Sequence, residues 1–161
     1  AGGPGSAQSQ PGNAGPATPS SNRGPDAGQH LPGDVRNVLE QYVHMLATSR
    51  SMEELVSRFT PIAGGTLVYE DGRLVQTVPQ FSLKKDWSNV RHYRTPPEVT
   101  RVDITPGKSQ GHGATAITGT EYMVWIAKAD PNTGMPAPIR LIVPQNHPSI
   151  RGARVTGIGS L

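Results

Sequence analysis

The sequence predicts an α+β domain: two N-terminal helices packed on a strongly curved, mostly antiparallel sheet, behind a disordered-looking N-terminal leader. Three observations predict it. Val35, Val38, Leu39, Tyr42, Val43 and Leu46 fall at the spacing of one apolar helix face. The stretch from Ala114 to Val143 is a long apolar strand, the turn Asp130-Pro131-Asn132-Thr133-Gly134, and a second apolar strand. Both β-branched runs of the chain lie in it. The first 33 residues are almost all Gly, Pro, Ser, Ala, Gln and Asn, with Leu31 as the one large apolar side chain.

The chain has 161 residues, the size of one domain. Its 19 Gly and 16 Pro exceed the usual share, and much of that excess lies in the leader. Residues 1–33 therefore read as a flexible tether or arm, too poor in apolar surface to offset the entropy of ordering it. Residues 34–161 read as a single α+β domain. With no cysteine, the sequence excludes disulfides, a Cys nucleophile and thiolate metal sites. The net charge of +3 singles out no partner. No apolar run reaches the ~20 residues of a membrane span. The start Ala1-Gly2-Gly3-Pro4 has the look of a processed end. Export to a periplasmic or extracellular space is the expectation, and an anchor upstream is compatible with it.

The folded part begins at Pro32-Gly33-Asp34, with Asp34 placed to cap the first helix. Thr48-Ser49-Arg50 breaks that helix. Ser51-Met52-Glu53-Glu54 is a capping box, and Met52, Leu55, Val56 and Phe59 give the second helix its apolar face. Pro61 and Gly64-Gly65 end it. Thr66–Glu70 and Arg73–Val78 flank Asp71-Gly72, the signature of a two-residue type I′ hairpin. In residues 81–94, Phe81, Leu83 and Trp87 suggest a half-buried segment and Val90 follows Trp87 at helical spacing, while a short strand followed by a turn also fits. Val99–Ile104 reads as a strand stopped by Pro106-Gly107, and residues 107–113 as a mobile loop. In the long strand, Tyr122, Val124 and Ile126 face one way, and Met123, Trp125 and Ala127 the other. Both faces are apolar, as in a strand covered on both sides, and Gly119 marks a bend. Ala153–Ile158 closes the domain as a last strand.

The search for chemistry gives no catalytic set. The five His share no metal-ligand spacing, and no nucleophile elbow occurs. Gly107-Lys108-Ser109 lacks the upstream glycine of a phosphate loop and precedes a strand. No cofactor is implied. The most basic and aromatic segment holds Lys84, Lys85, Arg91, Arg94 and Arg101 with Trp87, His92 and Tyr93. Asp86 and Glu98 dilute it, so a solvated basic face or an acidic protein surface suits it better than nucleic acid. The aromatic residues Trp87, Tyr93, Tyr122 and Trp125 are the interface candidates.

The order helix, helix, hairpin, then longer strands with a bend at Gly119 and a closing strand at Ala153–Ile158 resembles the NTF2-like (cystatin-like, α+β cone) superfamily over residues 34–159. The third N-terminal helix of many members has no counterpart in the sequence pattern. The resemblance implies one of two roles: a small-molecule enzyme of isomerase or dehydratase type, with an acid–base residue inside the cone, or a non-catalytic association domain. No acid–base pair stands out, and the leader suits tethering or wrapping. The reading is a non-enzymatic assembly subunit that binds other protein chains, its own copies included, through its sheet face and N-terminal arm. Since the helical pair can cover only one face of the sheet, the face carrying Tyr122 or Trp125 is where function is to be sought.

Overall fold

A computed structural model of the chain describes residues 21–23 and 31–161. The fold is α+β, with helices α1 (Gly33–Thr48), α2 (Met52–Phe59) and α3 (Leu83–Asn89) beside an antiparallel sheet. Its strands are β1 (Ser21–Arg23), β2 (Val99–Gln110), β3 (Ile117–Ile126), β4 (Ala137–Pro144) and β5 (Arg154–Gly157), hydrogen-bonded in sequence order. The leader expected over residues 1–33 lies mostly outside the described residues. Within it, β1 pairs antiparallel with the edge of β2, Ser21 opposite Asp103 and Arg23 opposite Arg101.

Five of the six stripe residues of α1, Val35, Leu39, Tyr42, Val43 and Leu46, are buried as their spacing predicts; Val38 is only partly buried, and Met45, outside the predicted stripe, is buried with them. Asp34 sits inside the first turn rather than capping it. The cap position is Pro32, and the Asp34 carboxylate accepts from the N–H of Val35 at 3.0 Å. Here the acid favours the helix through its N-terminal partial charge. The Ser51 cap of α2 forms, the N–H of Glu54 donating to Ser51 Oγ at 3.1 Å, while Glu54 Oε1 reaches back one residue further than in a capping box, to the N–H of Arg50 at 3.0 Å. Leu55 and Phe59 are fully buried, and the Phe59 ring lies 5.3 Å from that of Tyr42.

Three local expectations are corrected. The Asp71-Gly72 turn is not type I′, which needs a positive φ at both central residues. Only Gly72 takes one, at +89°. The Gly72 N–H donates to Tyr69 O and the Tyr69 N–H to Arg73 O, at 2.9 and 2.8 Å, giving a three-residue loop. Beyond that loop the flanks pair through the isolated bridge Val68–Leu74 and the Val75 N–H to Leu67 O bond at 2.9 Å, rather than as two full strands. Second, residues 78–92 are helical. A wide turn over Val78–Ser82 leads into α3, which brings Leu83 and Asp86 into the interior. Third, β2 does not stop at Pro106-Gly107. The register slips between Thr105 and Lys108, and pairing with β3 resumes to Gln110. A bulge at a place where no described strand flanks β2 tolerates a residue without an N–H.

One sheet face carries Val102, Val124, Ile126, Ile139, Leu141 and Val155 into the helical layer. The opposite face curls inward at one end. Ala63 bridges Val155 in parallel, and the Gly64 N–H donates to Val155 O at 2.9 Å. Gly65, next in the chain, meets the far end of β2: a Cβ on Gly111 would lie 2.9 Å from Gly65 O. The 63–65 segment thus spans from β5 to the far end of β2, with Ile117 Cδ1 close to Gly64. Gly119 permits the bend, since any Cβ at that position would overlap the Val143 carbonyl.

Candidate functional site

Register fixes which side chains share the face away from the helices. Arg101, Trp125 and Pro138 form its outermost row, and Asp103, Met123, Arg140 and Gly157 the next. Thr105, Glu121, Ile142 and Arg154 follow, before the far end at Gln110 and Ile117. Trp125 and Met123 are half-buried, Thr105 and Arg140 exposed, and Ile142 and Ile117 fully buried. The face therefore runs from a partly exposed, mixed polar and apolar end into packed interior at Ile142 and Ile117.

Trp125 is held from above. The Arg101 guanidinium carbon lies 4.4 Å from its ring centroid. Asp103 fixes that guanidinium through two bonds, Nε to Oδ1 at 3.1 Å and Nη2 to Oδ2 at 2.8 Å. A planar fork pinned by a carboxylate and laid on an indole is a rigid, amphipathic surface. Arg140 runs over Gly157, whose absent side chain leaves it room. Glu121 is the anomaly of the face. It is 6 % exposed, and its Oε2 is buried with no hydrogen-bond partner among the described residues.

The other aromatic candidates lie elsewhere. Tyr122 points to the helical side and packs against the core, where burial and the Asp34 charge push its hydroxyl pKa up. Tyr93 is 4 % exposed beneath Lys128, its pKa raised by burial and by Asp86. Trp87 is half-buried against the same core. The basic set is also divided. Lys84, Lys85 and Arg91 are exposed on α3 and the turn after it. Arg94 pairs with Glu98 at 3.1 Å, and Arg101 belongs to the Trp125 surface.

Asp86 does not dilute that patch, because it is turned inward and fully buried. Its Oδ2 accepts from the Tyr42 hydroxyl at 2.6 Å and the Gly159 N–H at 3.0 Å, and its Oδ1 from the Leu161 N–H at 3.1 Å. Burial pushes its carboxyl up, against the pull of these bonds. Asn89 Nδ2 donates to Leu161 O at 3.0 Å, completing a clasp on the C-terminal segment. With its oxygens occupied, Asp86 is a structural carboxylate.

Two clefts open elsewhere. One of about 700 Å³ lies between α1 and the Thr95–Pro97 turn, lined by Glu40, Gln41 and His44. Another of about 650 Å³ lies between the 65–75 loop and Gly111-His112. In the latter, Asp71 is engaged by the Arg73 N–H and guanidinium at 3.0 and 2.7 Å, bonds that hold its carboxyl low. No group of three or more His, Cys, Asp or Glu able to hold a metal occurs among the described residues. No helix among them is long and apolar enough to cross a membrane. No family model, curated protein or solved structure matches the chain.

Proposed function

We propose that the protein is a non-enzymatic assembly subunit that docks another protein chain on the open sheet face around Met123 and Trp125. One observation carries this reading: the helices cover one face of the sheet, and the other leaves a half-buried Trp and Met beside a pinned guanidinium. Aromatic residues, Met and Arg are the types enriched in interface cores. The N-terminal arm supports it in part, since β1 already lies along the β2 edge next to that face. A third helix, α3, brings the element order nearer to the NTF2-like pattern, whose members include association domains. Fold alone does not choose between roles.

The alternative, an NTF2-like small-molecule enzyme, draws on one feature, the unpartnered carboxylate of Glu121 where the face narrows. The test is site-specific photo-crosslinking in the source cells. A crosslinker at position 123 is expected to give a discrete protein adduct, one at position 44 on α1 none. No adduct from 123, together with a strictly monomeric chain by light scattering, would refute the assembly role.

A further inference from the structure

Glu121 breaks a rule that folded proteins rarely break. A buried side-chain oxygen without a donor loses its water and gains no hydrogen bond in return. Such violations concentrate at functional sites. The cations nearest in register are directed elsewhere. Arg154 is separated from Glu121 by Ile142, and its Nη1 donates to Arg151 O and Ala153 O at 3.0 and 3.2 Å. Arg140, across from Met123, lies along Gly157. No ion pair reaches Glu121 among the described residues. Exposed Thr105 stands opposite it on β2, and half-buried Met123 two positions along β3.

We infer that Glu121 is a receptor for a cationic side chain, the ammonium of a Lys or the guanidinium of an Arg, that the docked chain inserts past Met123. The aliphatic stem of that side chain lies on Met123 and Thr105, and its head supplies the missing donor to Glu121. A charge-assisted bond to an otherwise unpaired buried carboxylate gives the site its strength. It also gives selectivity against partners that offer an apolar or acidic group there. The inference rests on the docking reading and specifies the chemistry of the partner's anchor.

The test titrates n-butylammonium and ethylguanidinium chloride into the full chain while NMR follows the Met123 methyl and Trp125 indole signals. Sodium chloride and n-butanol serve as controls. Saturable shifts centred on Met123 are expected with the two cations only, weakened at least ~10-fold in Glu121→Gln. Glu121→Leu, which removes the unpartnered buried oxygen, is expected to raise the melting temperature by ~2 °C or more. No saturable shift, equal shifts in Glu121→Gln or with butanol, or a less stable Glu121→Leu (the mark of an internal water as the true partner) overturns the inference. Crosslinking from position 123 separates the two levels. An adduct that persists undiminished in Glu121→Gln sinks this inference alone, whereas its absence in the wild type sinks the docking reading itself.

Discussion

Replacing Asp86 by Ala tests what ties the helical layer to the end of the chain. The carboxylate is fully buried and takes three hydrogen bonds, from Tyr42, Gly159 and Leu161. Its removal strands one hydroxyl and two backbone donors in the interior, each costing about 1–3 kcal/mol when left unsatisfied. The Leu161 side chain, 5 % exposed, is freed with the clasp. Against this stands relief from burying a charge, the cause that raises the Asp86 pKa. The balance comes to about 3–5 kcal/mol, the usual cost of breaking a buried charged network from one side. Tyr42→Phe removes one donor and leaves two, so its cost is nearer ~1–2 kcal/mol. In a double-mutant cycle the pair is expected to be strongly non-additive.

Urea titration at constant m measures these losses, and amide exchange at Gly159 and Leu161 locates them. The pH dependence has a definite sign. A carboxyl whose folded pKa is raised contributes stability that is complete below the unfolded pKa and lost as pH rises through the folded one. Relative to Asp86→Asn, the wild type should therefore gain stability as the pH falls from neutral through the folded pKa of Asp86. An Asp86→Ala variant within 1 kcal/mol of wild type, with unchanged protection at Gly159 and Leu161, would refute the clasp.

Two further outcomes follow from the backbone and loops. Gly119→Ala drives a Cβ into the Val143 carbonyl, a backbone atom that cannot move aside, and should cost more than ~2 kcal/mol by denaturant titration. A neutral result would mean that the bend in β3 does not depend on Gly119. His147 Nδ1 accepts from the Ser149 and Ile150 N–H groups at 3.0 and 2.8 Å, while its Nε2 meets Ala114 O at 3.1 Å. His147→Ala should speed amide exchange at residues 149 and 150 at least ~10-fold while leaving α1 unchanged, and uniform exchange across the chain would contradict that local role.

The elements that rest on local periodicity were legible. The stripes of α1 and α2, the Ser51 cap, the two faces of β3 and the curved α+β layout follow from spacing alone. Helix α3 was hidden because Pro79 and the apolar Phe81 and Leu83 resemble a strand end. Its helical reason is tertiary: Leu83 and Asp86 are both drawn inward, three residues apart. Asp86 was read as a surface charge because its partners lie 44, 73 and 75 residues away. Pro106 looked like a strand stop because a sequence does not show where β2 lacks a flanking strand. Glu121 was visible as a strand acid, but its missing donor became apparent only when its neighbours across the sheet were placed. Of the four aromatic candidates, only Trp125 stands on the open face. Strand alternation separated it from Tyr122, and the position of the helices chose between them.

Docking on that open face is tested most directly by photo-crosslinking from position 123 in wild type and in Trp125→Ala. The expected result is one discrete adduct in the wild type, lost in Trp125→Ala, with the free chain still folded by circular dichroism although less stable by about 2–4 kcal/mol, since most of the Trp125 ring is covered. An adduct unaffected by the loss of Trp125, or none at all from a strictly monomeric chain, would contradict it.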